Sequence, residues 1–160
     1  MIITERFISS VRRCFQMIYT DMTKKAMKFC YEAHKGQYDK GGVPYVFHPF
    51  HLAESMDDEI SVTAALLQDV LEDTPFTEKD LLEEGFSEEV IRIVKLLTRD
   101  HDTPYLAYVG SLAHDPVARK IKLADLEHNM DASRLPYNKD FMKKRFAMYE
   151  EAKQLLKSMS

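Results

Sequence analysis

Residues 61–73 read SVTAALLQDVLED. Ala, Leu and Val fill this helical segment so continuously that it has no obvious solvent face, which places it at the centre of a helical fold. Four polar groups interrupt it: Gln68, Asp69, Glu72 and Asp73. Burying them without partners would cost several kcal/mol in total. Asp69 and Glu72 are three apart, and Gln68 and Glu72 four apart, so a continuous helix would carry them on one face. Two readings stay open: Glu72 and Asp73 mark the helix end, or the polar groups line a site.

Outward from this segment, helical periodicity dominates. Ile3, Phe7, Val11, Phe15 and Ile18 recur at three- and four-residue steps. Asp21 is the expected N-cap of a second helix that turns Met22, Ala26, Phe29, Cys30 and Ala33 inward. Residues 36–48, GQYDKGGVPYVFH, carry three glycines and Pro44 and read as a loop. Pro49 fits the first turn of a short helix. Thr77 with Asp80 forms a capping-box pattern. Ser87, Pro104 and Asp115-Pro116 open further helices, and Asn138 opens the last. No strand pattern or internal repeat is visible. The expectation is a single, compact all-α bundle of about eight or nine helices.

The whole chain has 160 residues, enough for one domain with a real core. Its net charge of −4 gives no bulk attraction to nucleic acid or anionic lipid. A phosphate-bearing ligand would need a local basic patch or a metal. Two cysteines, Cys14 and Cys30, make no disulfide framework, so a reducing cytoplasm is expected. No apolar run approaches the length of a membrane span, and the N-terminus lacks the unbroken apolar stretch of a signal peptide.

Two further segments carry candidate chemistry. Asp125 lies in KIKLADLEHNM, with Lys122 three residues before it and Asn129 four after, so all three can face one way. Taken alone, a surface Lys–Asp pair is the simpler account. His48, just before Pro49, stands at a helix start where its ring can point into a cleft. His51, His101, His114 and His128 are read as structural.

The order of these segments resembles the HD superfamily of metal-dependent phosphohydrolases, and more closely the RelA/SpoT hydrolase domain and its small single-domain relatives. The resemblance rests on AHKGQ at 33–37, GVPYVFHP at 42–49, AALLQDVLEDT at 64–74 and KLADLEHNM at 122–130, with LLTRDHDTPYLAYV at 96–109 a weaker match. It implies an HD-type domain over residues 22–160. Residues 1–21 have no counterpart in the resembled pattern and read as an added helical extension or an upstream start; the apolar face of the extension is expected to pack on the domain or on a second copy, as a homo-oligomer. It implies a divalent ion, typically Mn²⁺, held by His48, Asp69, Asp125 and position 68. It implies that Glu72 and Asp73 position and activate water, and that Asn129 lies near a phosphorylated guanine nucleotide. The reaction it implies is removal of 3′-pyrophosphate from guanosine tetra- or pentaphosphate. Tyr38, Lys40, Lys120 and Lys122 are candidates for substrate contact or local positive charge.

Two positions depart from the resembled pattern. Gln68 stands where the family has a histidine, and an amide oxygen is a weaker donor than imidazole to transition metals. Asp39 stands where the family has an arginine that packs on guanine. These departures favour a rival reading: a non-catalytic nucleotide-binding or regulatory domain with a degenerate metal site. Neither nucleic acid nor a membrane is expected as a partner.

Overall fold

A computed structural model describes residues 17–134 and 139–159, without the side chains of residues 139–141. The expected apolar face at Ile3, Phe7, Val11 and Phe15 lies outside the described residues, as does Asn138. Among the described residues there are nine α-helices, a 3₁₀ turn at Ala132–Arg134 and no β-strand beyond an isolated bridge between Tyr38 and Pro44. The helices are α1 (Asp21–Ala33), α2 (Phe47–Glu54), α3 (Glu59–Leu67), α4 (Val70–Asp73), α5 (Glu78–Glu83), α6 (Glu88–Leu97), α7 (Tyr105–Leu112), α8 (Pro116–Asn129) and α9 (Lys139–Ser158). None among the described residues is long and apolar enough to cross a membrane.

Local chemistry explains most boundaries. Thr20, not Asp21, caps α1: its hydroxyl accepts the Thr23 amide while the Thr23 hydroxyl accepts the Thr20 amide. Asp21 falls at the first helical position, where its charge still suits the helix dipole. Thr77 and Asp80 form the same reciprocal box at α5. Ser87 caps α6, and Asp115 caps α8 through the amides of Val117 and Ala118. Asp58 caps α3, accepting the Ser61 amide.

Helix α3 is the hub, packing against α1, α2, α6 and α8. Every residue from Ser61 to Leu67 is buried, which is the structural meaning of its unbroken apolar run. Its own Leu66 and Leu67 share the core with Leu52, Ile93, Leu112, Ile121 and Leu126. Each such leucine stabilises the fold by about 2–5 kcal/mol relative to alanine. The apolar run does not continue as one helix. It turns at Gln68 and Asp69, where Asp69 has φ −95° and ψ −2°, and resumes as the single-turn α4. The turn sets two polar side chains at the end of the most buried helix.

Candidate functional site

The loop between α1 and α2 delivers the first site residue. Asp39 Oδ1 accepts the amides of Gly41 and Val43, and the Asp39 amide donates to the Val43 carbonyl. Gly42 has φ +80°, a conformation that favours glycine at the turn. The Tyr45 amide then donates to the Gln37 carbonyl, closing the loop so that α2 begins with His48 in its first turn.

Three separate segments meet at His48. Its Nε2 lies 3.1 Å from Asp125 Oδ1 and 3.7 Å from Asp69 Oδ2. Gln68 Nε2 lies 3.3 Å from the same ring nitrogen and donates to Asp69 Oδ2 at 3.1 Å. His48, Gln68 and Asp125 are buried. Burial opposes charge on His48, but Asp125, by hydrogen bond and charge, and Asp69 outweigh it and raise the imidazole's pKa.

Asp125 is held from the other side. Lys122 Nζ donates to its Oδ2 at 2.7 Å and Asn129 Nδ2 to its Oδ1 at 2.6 Å. The spacing read in the sequence therefore does align these three, but as a buried pair rather than a surface one. Burial alone would lower the Lys122 pKa, and the Asp125 carboxylate more than reverses that. Its ammonium also lies over the Tyr105 and Tyr108 rings.

Glu72 and Asp73, on α4, differ in setting. Glu72 Oε2 accepts the Arg99 amide at 3.0 Å, tying α4 to the loop before α7. Asp73 has its pKa raised by burial and by the charges of Asp69 and Glu72. Tyr38 is largely exposed, and Lys40 has its pKa lowered by burial and by Arg145. Lys120 is turned away and pairs with Asp57.

Four residues not singled out as site residues by sequence reading border the cluster. The Tyr45 hydroxyl donates to Asp69 Oδ2 at 2.7 Å. His34 is buried; its Nδ1–H donates to Gln37 Oε1, while Gln37 Nε2 donates to the Asp73 carbonyl. The His34 Nε2 is buried and has no hydrogen-bond partner among the described residues. His128 Nδ1 lies 2.6 Å from His48 Nδ1, the two rings nearly coplanar and edge to edge, and the His128 ring stacks on His51. Arg134 Nη1 reaches His128 at Nδ1 and at its carbonyl, and Nη2 reaches Asp39 Oδ2 at 3.0 Å. Burial, His48 and Arg134 push the His128 pKa down to about 3. His128 carried a sequence signal, since it stands three residues after Asp125 on the same helix. Arg134 carried none. A groove of about 400 Å³, lined by His51, Glu54, Glu127 and Asp131 among others, opens beyond His128.

Among the described residues, no three His, Cys, Asp or Glu side chains are spaced as a ready-made ion cage. Instead the polar atoms close on one another. Two carboxylates facing one ring nitrogen nevertheless demand positive charge between them, from an imidazolium proton or a cation. One imidazole and two carboxylates, with an amide whose oxygen would have to turn inward, make a donor set suited to a hard divalent ion. The residues present therefore fit a metal in donor chemistry.

Comparison with known proteins adds to this geometry. The HD domain family matches residues 26–130. Guanosine-3′,5′-bis(diphosphate) 3′-pyrophosphohydrolases are similar to the chain: that of Borreliella burgdorferi is 34% identical over 72% of this chain and 20% of its own length. That of Haemophilus influenzae is 38% identical over 62% of this chain and 17% of its own. The Escherichia coli bifunctional (p)ppGpp synthase/hydrolase SpoT is 37% identical over 62% of this chain and 16% of its own. The chain thus matches about a fifth or less of the length of these curated relatives. A solved structure of a metazoan ortholog of SpoT, described as hydrolysing ppGpp, shares the fold with a TM-score of 0.75 at 21% identity, covering 91% of this chain and 90% of that one.

Proposed function

From the premise that this chain belongs to the HD domain family, whose hydrolases are metal-dependent in general, we propose that it is a pyrophosphohydrolase removing 3′-pyrophosphate from guanosine tetra- or pentaphosphate or a related nucleotide. The observation that carries this reading is the convergence of Asp69, Asp125 and Gln68 on His48 Nε2. His48, Asp69, Asp125 and Gln68 would hold the ion, with Mn²⁺ the expected one. When bound, such an ion acidifies water and neutralises pyrophosphate oxygens. Asp73, whose pKa is raised by burial and by the charges of Asp69 and Glu72, is placed to take the proton from the attacking water, and Glu72 braces the adjoining loop. Lys122 and Asn129 hold Asp125 in place. Lys40 and Tyr38, on the glycine loop, are the candidates for contact with phosphate and base. The reducing cytoplasm suits the buried free thiol of Cys30.

The rival reading is a nucleotide sensor, and Gln68 favours it: its amide now donates to Asp69, the oxygen an ion would need. Incubation of the protein with Mn²⁺ and guanosine tetraphosphate decides between them. Slow release of pyrophosphate supports the enzyme. Saturable nucleotide binding without turnover supports the sensor.

A further inference from the structure

Arg134 carries only hydrogen-bond donors. Its Nη1, 2.8 Å from His128 Nδ1, therefore makes that nitrogen an acceptor, and His128 is the neutral tautomer with hydrogen on Nε2. His48 Nδ1 lies 2.6 Å from the same His128 nitrogen. Two lone pairs do not face each other at that distance, so His48 Nδ1 carries a hydrogen and donates it.

We propose that Asp39, Arg134 and His128 form a positioning relay that fixes the tautomer of His48, committing its Nδ1–H to His128 and aiming its Nε2 at Asp69 and Asp125. Each link is anchored. Asp39 Oδ2 pairs with Arg134 Nη2 at 3.0 Å, and the His128 carbonyl accepts Arg134 Nη1 at 2.8 Å. Asp39 Oδ1 meanwhile holds the amides of Gly41 and Val43. Gly41 packs so closely that a Cβ there would stand 2.4 Å from the Arg134 carbonyl oxygen. The glycine loop and the His48 ring are therefore one connected unit. Position 39 is occupied by the counter-ion of the relay rather than by a group free to meet a base.

A ligating imidazole needs its second nitrogen committed elsewhere, usually to a carboxylate or carbonyl. Here the acceptor is a second imidazole, oriented by a guanidinium. The consequence for metal binding rests on the hydrolase reading above, whereas the tautomer itself does not.

The test uses the full chain. Nitrogen-15 side-chain spectra of the metal-free protein should show a hydrogen on His48 Nδ1 and, on His128, a hydrogen on Nε2 alone. Calorimetric Mn²⁺ titration should then show His128→Phe, which keeps a flat ring but no acceptor, binding about 10–100-fold more weakly. His128→Asn, which returns an acceptor oxygen, should recover most of that loss. His128 protonated on Nδ1, or His128→Phe binding Mn²⁺ as tightly as the natural chain, overturns the relay. If the natural chain binds no Mn²⁺, the metal-dependent reading fails while the spectra still decide the tautomers.

Discussion

Tyr45 donates its hydroxyl hydrogen to Asp69 Oδ2 at 2.7 Å, with its ring between those of His34 and His48. The same oxygen accepts the Gln68 amide. Burial and the Asp69 charge push the phenol's pKa far up, so the proton stays on the tyrosine. Tyr45→Phe removes a charge-assisted bond and leaves Asp69 with one donor fewer. We expect a loss of about 1.5–3 kcal/mol in urea unfolding and weaker Mn²⁺ binding. No change in either would show that Tyr45 is a spectator.

Gly41→Ala puts a Cβ 2.4 Å from the Arg134 carbonyl oxygen and 3.2 Å from Asp39 Oδ1. The first clash is with backbone, which cannot rotate aside. The loop must move away from the 3₁₀ turn, at a cost of about 1–3 kcal/mol. Thermal melting measures this. A melting temperature equal to the parent's would mean the close approach is absent in solution.

Lys122→Met leaves the Asp125 carboxylate buried without its ammonium partner. Removing one member of such a pair costs about 3–5 kcal/mol. The lysine packs over Tyr105 and Tyr108, and Met keeps most of that apolar contact, so the loss reports on charge. An equilibrium denaturation curve close to the parent's would mean that water reaches Asp125 freely.

Asp115 provides a pH signature away from the candidate site. Burial tends to raise its pKa, but the amides of Ala118 and Val117 and the Arg92 guanidinium lower it overall. A carboxylate with a depressed folded pKa contributes stability above its unfolded value, and that contribution is lost as pH falls through the folded value. Asp115→Asn keeps an acceptor for the cap but loses the carboxylate charge, and should therefore cost about 0.3–1 kcal/mol at neutral pH and progressively less below about pH 4. A pH-independent difference in urea midpoint would contradict the assignment.

The parts of the fold legible in the sequence were those fixed locally. The Thr77–Asp80 box and the Ser87 cap need only neighbours within one turn, and both stand in the structure. The α1 cap was misplaced by one residue because the reciprocal bond between Thr20 and Thr23 outcompetes Asp21. The break at Gln68 was not legible: helix-favouring residues lie on both sides, and neither glycine nor proline marks it. The alignment of Lys122, Asp125 and Asn129 followed from helical spacing, but how deep they lie depends on the packing of α2, α3, α6 and α9 on α8, which spacing does not encode. Arg134 was out of reach because its partner Asp39 is 95 residues away.

Gln68→His is the sharpest test of the candidate metal centre. The side chain at 68 is buried, and its amide nitrogen lies 3.3 Å from His48 Nε2 and 3.1 Å from Asp69 Oδ2. Any atom offered from this position therefore reaches the point where the two carboxylates and the imidazole meet. The natural amide presents a donor there and must turn over before its oxygen can serve an ion. A neutral imidazole presents a nitrogen lone pair instead, a better ligand for Mn²⁺ or Zn²⁺, and adds no formal charge beside Glu72 and Asp73. Gln68 and Asp69 occupy the turn between α3 and α4. Mn²⁺ affinity should rise by about tenfold or more by calorimetry. Asp125→Ala, the matched control, should abolish binding in either background. Tighter binding with faster pyrophosphate release at limiting Mn²⁺ marks a weakened enzyme. Tighter binding without turnover marks a sensor whose other catalytic parts have gone, and unchanged affinity means that position 68 does not face the ion.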